Sequence, residues 1–269
     1  LFPFIFGCEG EKTTSQERIF FRQAQPFGFI LFGRNLKNPK QINDLCQSLR
    51  DSVGWNAPVM IDQEGGRVAR LGAPHWFEFT PALQQSENVY AERTFWLRGR
   101  LIAENLRLSG IDVNCAPLGD IAQPDTHHIL RNRCYGTDKS QVIINARALN
   151  SGLRHGGISG VLKHIPGHGR AKLDSHLFLP KVLSDQAILE DTDFSVFKEL
   201  KDMDMGMTAH LIFDQLDPKN PATQSPTVIN MIRNEIGFTG LLITDDISMN
   251  ALEGNLKTRA LKALGAGCD

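Results

Sequence analysis

The sequence lacks three features that would each assign it to a particular class of protein. It has no excess of charge, since 29 Lys and Arg oppose 30 Asp and Glu, and no basic stripe with interleaved aromatic residues, so we expect no nucleic-acid partner. Its five cysteines are widely spaced and form no C-x-x-C pair. This argues against a disulfide framework or a thiolate zinc site and favours a reducing compartment. No apolar run is long enough to cross a bilayer, so we expect no membrane partner.

What the sequence does contain is an alternation of short apolar runs with amphipathic helical patterns. Seven runs are candidate strands, and they are almost continuously apolar rather than alternating with period two. Strands that are buried on both faces have this composition, and parallel sheets produce them. The seven runs are Phe2–Phe6, Gly28–Phe32, Pro58–Asp62, Asp112–Ala116, Gly160–His164, Met205–His210 and Leu241–Thr244.

Signals for the beginnings of helices occupy the intervals between these runs. Thr14-x-x-Glu17 is a capping box. Asn38-Pro39 and Ser225-Pro226 each place an N-cap residue before a proline at the first helical position. Further helices are predicted over 88–108, 138–154, 185–201 and 256–264.

Strand–helix alternation without a linker predicts a single α/β domain over residues 1–269. A doubly wound open sheet usually has a G-x-G-x-x-G loop after its first strand, and Gly7-Cys-Glu-Gly10 is not such a loop. The length suits a (β/α)8 barrel of the TIM type. The sequence ends at Asp269, where an eighth strand is expected to begin. We therefore predict the barrel and leave open whether its last strand is present.

Polar residues gather where the predicted strands end. In a barrel, the loops after the strands form the active face. Asp62 ends the third strand, Lys163-His164 the fifth, and Asp245-Asp246 follow the seventh. Six successive strands have charged or amide groups at this end, whereas the opposite ends have mostly glycine and turn residues. We therefore predict a site on this rim.

Asp245 and His176 are the candidate reacting groups. A carboxylate at the mouth of a barrel can be a nucleophile, a base or a metal ligand. Asp246 has a competing interpretation as the N-cap of a helix beginning at Ile247. His176 can give and take a proton near neutral pH, and Asp174 is close enough in sequence to orient its ring. Glycosyl transfer needs a nucleophile below the sugar and a proton donor at the leaving oxygen, and these residues can fill both roles.

At these residues the sequence resembles the β-N-acetylhexosaminidases of glycoside hydrolase family 3, in particular the bacterial β-N-acetylglucosaminidases of peptidoglycan recycling. The resemblance covers nearly the whole chain in order. Its most specific part is Lys163-His-Ile-Pro-Gly-His-Gly169 followed by Asp174-Ser-His176. The other matching segments are Gly28–Asn35, Ile61–Arg70, Asn114–Pro117, Thr208–His210 and Thr244–Met249. Departures are Ile165 in place of phenylalanine, Thr244 in place of serine, and a loose version of the family's Arg-Ser-Phe-Gly at Asn132–Gly136.

The resemblance implies a cytoplasmic, retaining hydrolase that forms a covalent glycosyl-enzyme and needs no cofactor or metal. The implied substrate is a small molecule, N-acetylglucosaminyl-β-1,4-(1,6-anhydro)-N-acetylmuramic acid or its peptide-bearing forms. Asp245 is implied as the nucleophile and His176 as the general acid/base, with Asp174 as its partner. The implied substrate contacts are Asp62, Arg70, Arg133, Lys163 and His164. We expect a monomer, in which segment 165–180 is a mobile flap that brings His176 to the sugar.

Three other functions remain open at the level of sequence. A β-glucosidase or an N-acetylglucosaminide phosphorylase would use the same pair of residues, and phosphate-dependent turnover would identify the phosphorylase. A metal-dependent hydrolase could use a cluster of four residues, and its activity would be lost with a chelator. These four are His164, His168, His176 and Asp245. A non-catalytic sugar-binding protein is disfavoured by the presence of both Asp245 and His176.

Overall fold

All seven predicted strands are present in the structure, a computed structural model that describes residues 1–173 and 178–269. Two further short strands, β6 (Lys181–Val182) and β8 (Ile212–Phe213), pair with each other outside the main sheet. The strands are β1 Phe2–Phe6, β2 Pro26–Leu31, β3 Val59–Ile61, β4 Val113–Asn114, β5 Ser159–Ile165, β6 Lys181–Val182, β7 Met205–Thr208, β8 Ile212–Phe213 and β9 Leu241–Thr244.

The main sheet has seven parallel strands in the order β1-β2-β3-β4-β5-β7-β9. Both edge strands, β1 and β9, line the same cavity, so the sheet is curled. The prediction of an α/β fold with a parallel sheet is confirmed. The closed (β/α)8 barrel is confirmed only in part, because the described residues contribute seven strands to this sheet and β1 does not pair with β9.

Ten α-helices occur among the described residues, and the predicted capping signals begin three of them. Thr14 forms a capping box with Glu17 at the start of α1 (Ser15–Ala24). The side chains of Asn38 and Ser225 cap α2 (Pro39–Val53) and α9 (Pro226–Met231). A π-helical turn, Ile232–Ile236, continues α9. The helices are α1 Ser15–Ala24, α2 Pro39–Val53, α3 Ala82–Ser86, α4 Ala91–Leu108, α5 His128–Arg131, α6 Lys139–His155, α7 Gln186–Asp191, α8 Asp193–Glu199, α9 Pro226–Met231 and α10 Leu256–Ala266.

One helix prediction was wrong, and so was the alternative interpretation of Asp246 as a helix N-cap. The helix predicted over 185–201 is divided at Thr192 into α7 and α8. Arg170 holds this break by donating hydrogen bonds to Thr192 and to Asp193. No helix follows Asp246, because the chain turns there and the Asp246 carboxylate accepts the backbone N–H of Ser248 at 2.8 Å. Asp246 is therefore a turn residue rather than a helix N-cap.

The sheet is buried on both faces, which explains the continuously apolar strands. Met60 and Val161 belong to a small cluster on the inner, concave face. Their neighbours Ile61 and Leu162 face outward and belong to the larger core between the sheet and the helices. Successive residues of a strand point to opposite faces, so strands packed on both sides must be apolar at every position.

The two longest helices, α4 and α6, approach closely through glycine. A Cβ atom at Gly99 would collide with the backbone of Leu149, and one at Gly152 would collide with the backbone of Trp96. The absence of side chains at these two positions brings the helices into backbone contact. This packing fixes α4, whose Arg98 supports the site described below.

All five cysteines are free and buried. Burial raises the pKa of each thiol, to about 11 at Cys8 and to about 12 at Cys46 and Cys268. Cys115 and Cys134 shift in the same direction for the same reason. No helix in the part of the chain that the structure describes is long and apolar enough to cross a membrane.

Candidate active site

A cavity of about 940 Å³ lies inside the curled sheet, and residues at the carboxyl ends of its strands form part of its lining. Its deeper wall is apolar and includes Met60, Cys115 and Met207. Its mouth brings together six of the eight residues that the sequence analysis selected, which are Asp62, Arg70, Arg133, Lys163, His164 and Asp245. The other two, Asp174 and His176, lie outside the described residues.

On one side of the cavity, two carboxylates share the buried ammonium group of Lys163. Lys163 Nζ donates to Asp62 Oδ1 at 3.0 Å and to Glu64 Oε1 at 2.7 Å. Asp62 also accepts from Arg70 Nη2 at 3.3 Å. Arg133 forms a bidentate ion pair with Glu64. Its Nε donates to Oε2 at 2.9 Å, and its Nη2 donates to Oε1 at 2.8 Å. Planar guanidinium–carboxylate pairs of this kind hold both partners in a fixed orientation.

The centre of this cluster, Lys163 and Glu64, stays ionised although it is almost fully buried. The side chains of Lys163 and Glu64 are each 3% exposed. Burial alone would raise the pKa of Glu64, but Arg133 and Lys163 hold it well below its usual range. Burial alone would lower the pKa of Lys163, but Glu64 and Asp62 raise it above its usual value. The cluster therefore presents fixed charges and oriented donors to the cavity at neutral pH.

Glu64 is the functional residue that the sequence analysis missed. It lies in the matching segment Ile61–Arg70, but no role was assigned to it. The signal was present, since side chains two residues apart in an extended chain share a face. Asp62 and Glu64 should therefore point the same way, toward the same lysine. The backbone of Glu64 is also held in place, because Arg98 Nε donates a hydrogen bond to the Glu64 carbonyl at 3.0 Å.

The next wall of the cavity contains a buried aspartate–histidine pair. His164 Nδ1–H donates to Asp120 Oδ2 at 2.7 Å, and Asp120 Oδ1 accepts the backbone N–H of His168 at 2.7 Å. Burial alone would raise the pKa of Asp120, but His164 and His168 lower it. A carboxylate on Nδ1 fixes the ring orientation and leaves Nε2 of His164 for a ligand.

Asp245 stands across the cavity at the end of β9. It is half-buried, and its Oδ1 accepts the backbone N–H of Asp246 at 2.8 Å. Burial alone would raise the pKa of Asp245, but His164, His210, the Asp246 N–H and Lys163 lower it to about 2. The carboxylate is therefore ionised throughout the physiological range and can act as a nucleophile.

His210 supports the turn that follows Asp245. Its Nε2–H donates to the Asp246 carbonyl at 3.1 Å, while Nδ1 lies 2.8 Å from the Thr223 hydroxyl. Burial is the largest cause that lowers the pKa of His210. The neutral ring with a proton on Nε2 satisfies the Asp246 carbonyl. This histidine fixes the backbone that carries the two aspartates.

The alternative of a metal-dependent hydrolase makes a structural prediction for this region. Its four residues should converge with the spacing of a metal site. Among residues 1–173 and 178–269, no group of three or more His, Cys, Asp or Glu side chains is arranged to hold a metal ion. His176, one of the four, lies outside those ranges, so the chelator test stays relevant.

Comparison with known proteins assigns this site to a family. The sequence matches the glycosyl hydrolase family 3 N terminal domain over residues 10–269. The chain belongs to glycosyl hydrolase family 3. Among its curated family 3 relatives, a β-hexosaminidase of Alkalilimnicola ehrlichii is 34% identical over 99% of this chain and 79% of that protein. A β-hexosaminidase of Pseudomonas aeruginosa is 31% identical over 97% of this chain and 78% of that protein.

Solved structures of family 3 enzymes have the same fold. NagZ from Neisseria gonorrhoeae, in complex with N-trifluoroacetyl-D-glucosamine, has a TM-score of 0.91 and 29% identity, over 99% of this chain and 80% of that chain. A family 3 β-N-acetylglucosaminidase from Paenibacillus has a TM-score of 0.90 and 30% identity, over 98% of this chain and 52% of that chain. The predicted family is confirmed, and the chain is a glycoside hydrolase of the β-hexosaminidase type.

Proposed function

We propose that the chain is a retaining exo-β-N-acetylglucosaminidase of peptidoglycan recycling. It removes the non-reducing N-acetylglucosamine from N-acetylglucosaminyl-β-1,4-(1,6-anhydro)-N-acetylmuramic acid and from the peptide-bearing forms of this disaccharide. The β-hexosaminidase relatives and the neighbour that binds an N-acylated glucosamine support the sugar class. The proposal includes a single domain that acts in the cytoplasm as a monomer, without cofactor or metal.

The observation that carries the proposal is the ionised Asp245 facing a cluster of oriented donors across one cavity. In the first step, Asp245 attacks C1 of the sugar as the bond from C1 to the aglycone oxygen breaks. In the second step, water attacks C1 and releases Asp245. Two displacements at the same carbon retain the β configuration.

His176 is the proposed general acid/base. It gives its proton to the leaving oxygen in the first step and takes a proton from water in the second. A histidine suits both roles because its ordinary pKa is near neutrality. Asp174 is the proposed partner that orients its ring. The support for this pair is the Asp174-Ser-His176 motif, which follows Lys163–Gly169 at short spacing.

The buried cluster is the proposed binding site of the N-acetylglucosamine ring. Asp62 and Arg70 present an acceptor and a donor side by side, as two neighbouring sugar hydroxyls require. Of the remaining proposed contacts, Lys163 and Arg133 are donors that suit hydroxyl or acetamido oxygens, and His164 offers its Nε2 to a sugar hydroxyl. Charged groups make stronger hydrogen bonds than neutral ones, so this set can hold the ring during both displacements.

The deciding experiment compares p-nitrophenyl β-N-acetylglucosaminide with the β-glucoside, for wild type and Asp245→Ala. We expect hydrolysis of the first substrate, with the activity of the variant lower by about three orders of magnitude or more. Asp246→Asn is the matched control and should keep most of the activity. Proton NMR should detect the β-anomer of N-acetylglucosamine as the first product.

Other outcomes would identify the alternatives. Equal turnover of both sugars would indicate a broad β-glucosidase. A rate that requires inorganic phosphate and yields a sugar phosphate would indicate a phosphorylase. Loss of activity with a chelator, restored by metal, would favour the metal-dependent hydrolase. Full activity of Asp245→Ala would overturn the mechanism.

A further inference from the structure

Two arginines at the mouth of the cavity have no part in the mechanism above. Arg34 follows β2, Arg67 follows β3, and both line the same cavity as Asp245. Both arginines are exposed to solvent. Because β2 and β3 are neighbours in the parallel sheet, the loops that follow them lie on the same side of the mouth.

These two arginines differ from the other cations of the cavity in what they bind. Arg70, Arg133 and Lys163 each form an ion pair with Asp62 or Glu64. Within residues 1–173 and 178–269, by contrast, Arg34 and Arg67 form no ion pair, and each donates to a backbone carbonyl instead. A neutral carbonyl leaves a full positive charge uncompensated, so this side of the mouth favours an anion.

Arg34 is held in place although it is exposed. Its Nε–H donates to the Cys8 carbonyl at 3.0 Å, and its guanidinium lies 4.9 Å from the centre of the Phe32 ring. It belongs to a 3-10 turn over Gly33–Asn35. Asn35 anchors that turn, since its buried amide donates to the carbonyls of Cys8 at 3.1 Å and Gly10 at 2.9 Å.

Arg67 is held at the tip of a tight hairpin. The Val68 carbonyl accepts the backbone N–H groups of Glu64 and Gly65 at 2.9 and 3.0 Å, which closes the turn around Arg67. Arg67 Nη1 donates to the Ile129 carbonyl at 2.7 Å. Each guanidinium has five N–H donors, so both arginines retain donors for a ligand without leaving their present positions.

We propose that Arg34 and Arg67 bind a carboxylate on the aglycone, the part of the substrate that leaves. The inference rests on the proposed function, because it assigns the N-acetylglucosamine ring to the ion-paired cluster around Lys163. The second sugar of an exo-acting enzyme must then lie toward the exposed mouth, where these charges are. The preferred substrate class is therefore a β-N-acetylglucosaminide with an anionic aglycone, such as a muramic acid bearing its free lactyl carboxylate.

The test varies the charge of enzyme and substrate independently. The substrates are N-acetylglucosaminyl-β-1,4-N-acetylmuramic acid and its lactyl methyl ester. The enzymes are wild type, Arg34→Gln, Arg67→Gln and the matched control Arg154→Gln, which alters an exposed arginine on α6 outside the cavity lining. We expect each cavity variant to reduce the acid-to-ester ratio of kcat/KM by about fivefold, mainly through KM. Arg154→Gln should leave this ratio as in wild type, and added salt should lower it in wild type.

Several results would overturn the inference. An acid-to-ester ratio of kcat/KM near one in wild type would mean that the arginines do not bind the carboxylate. A ratio that is the same in wild type and in both cavity variants would mean the same. Stimulation by inorganic phosphate that Arg34→Gln abolishes would mean that they bind a reacting phosphate instead. Hydrolysis of p-nitrophenyl β-N-acetylglucosaminide tests the proposed function separately, since failure there removes the enzyme activity rather than the charge preference.

Discussion

Glu64 binds two of the proposed sugar contacts, Arg133 and Lys163, and its replacement tests how much their positions matter. Glu64→Gln keeps the shape of the side chain but leaves both cations without their shared carboxylate. We expect the free energy of unfolding to fall by about 3 kcal/mol, because breaking a buried pair strands the remaining charge. We also expect kcat/KM to fall by about tenfold or more, since misplaced contacts hold the sugar less well.

The matched control for this variant is Glu104→Gln on the surface of α4. Glu104 also binds an arginine, Arg107, at 2.8 Å, but in an exposed pair. Exposed ion pairs contribute little, so urea unfolding and kcat/KM should both stay close to wild type. If the two substitutions had equal effects, the burial of Glu64 would have no special consequence.

His168 predicts the direction in which stability depends on pH. Burial, followed by repulsion from His164, lowers the pKa of His168 to about 4. The unfolded chain therefore binds a proton near pH 6.5, whereas the folded chain does so only near pH 4. Stability is fully present above pH 6.5 and is lost as the pH falls toward 4. Between pH 7.5 and 4.5 this group should remove about 2 to 3 kcal/mol.

Urea unfolding of wild type and His168→Gln at the two pH values measures this contribution. The variant has no group to titrate at this position, so its stability should change less between pH 7.5 and 4.5. The carboxylates titrate in both proteins and cancel in the comparison. Identical changes in the two proteins would show that His168 is not held neutral by its surroundings.

The site residues differ in how visible they are in the sequence. Asp245, Lys163 and His164 could be predicted because each ends a strongly apolar strand, and strand ends of a parallel sheet converge. The spacing places Glu64 on the same face as Asp62, but its ion pair with Lys163 depends on a strand about 100 residues later in the sequence. Long-range partners of this kind are set by the curl of the sheet rather than by any local pattern.

At the scale of the element, α2 shows how a helix is encoded. Asn38 Oδ1 accepts the backbone N–H of Gln41 at 2.9 Å, and Pro39 occupies the first helical position. Asn38→Ala should lower the free energy of unfolding by about 1 kcal/mol in urea titrations. Asn38→Asp should retain the cap and the stability. Because α2 does not line the cavity, unequal kcat/KM values for the two variants would contradict this purely structural role.

Elements with such signals were predicted well, and elements without them were not. Helix α2 and the seven strands of the main sheet have long periodic or apolar patterns. By contrast, α5 has four residues and the β6–β8 pair has two residues in each strand, too few for a period to be visible. The break at Thr192 depends on Arg170, which the local helical pattern between 185 and 201 does not include.

At the scale of the whole molecule, burial separates two kinds of charge around one cavity. The cluster around Lys163 is paired and buried, whereas Arg34 and Arg67 are unpaired by carboxylates within the described ranges and are exposed. The composition does not predict this separation of charges, because a net charge of −1 does not show where the individual charges lie. The parallel α/β architecture follows from the strand pattern, but which charges meet depends on the order in which strands come together.

The five buried thiols have a consequence for the lifetime of the molecule. A thiol reacts with oxidants and alkylating agents as the thiolate, and burial disfavours both access and ionisation. Cys46 and Cys134, which are fully buried and do not line the cavity, become reactive only when the chain around them opens. Under oxidative stress, the rate of inactivation is then governed by how often the structure opens. Local opening is reversible, but oxidation of an exposed thiol makes it irreversible.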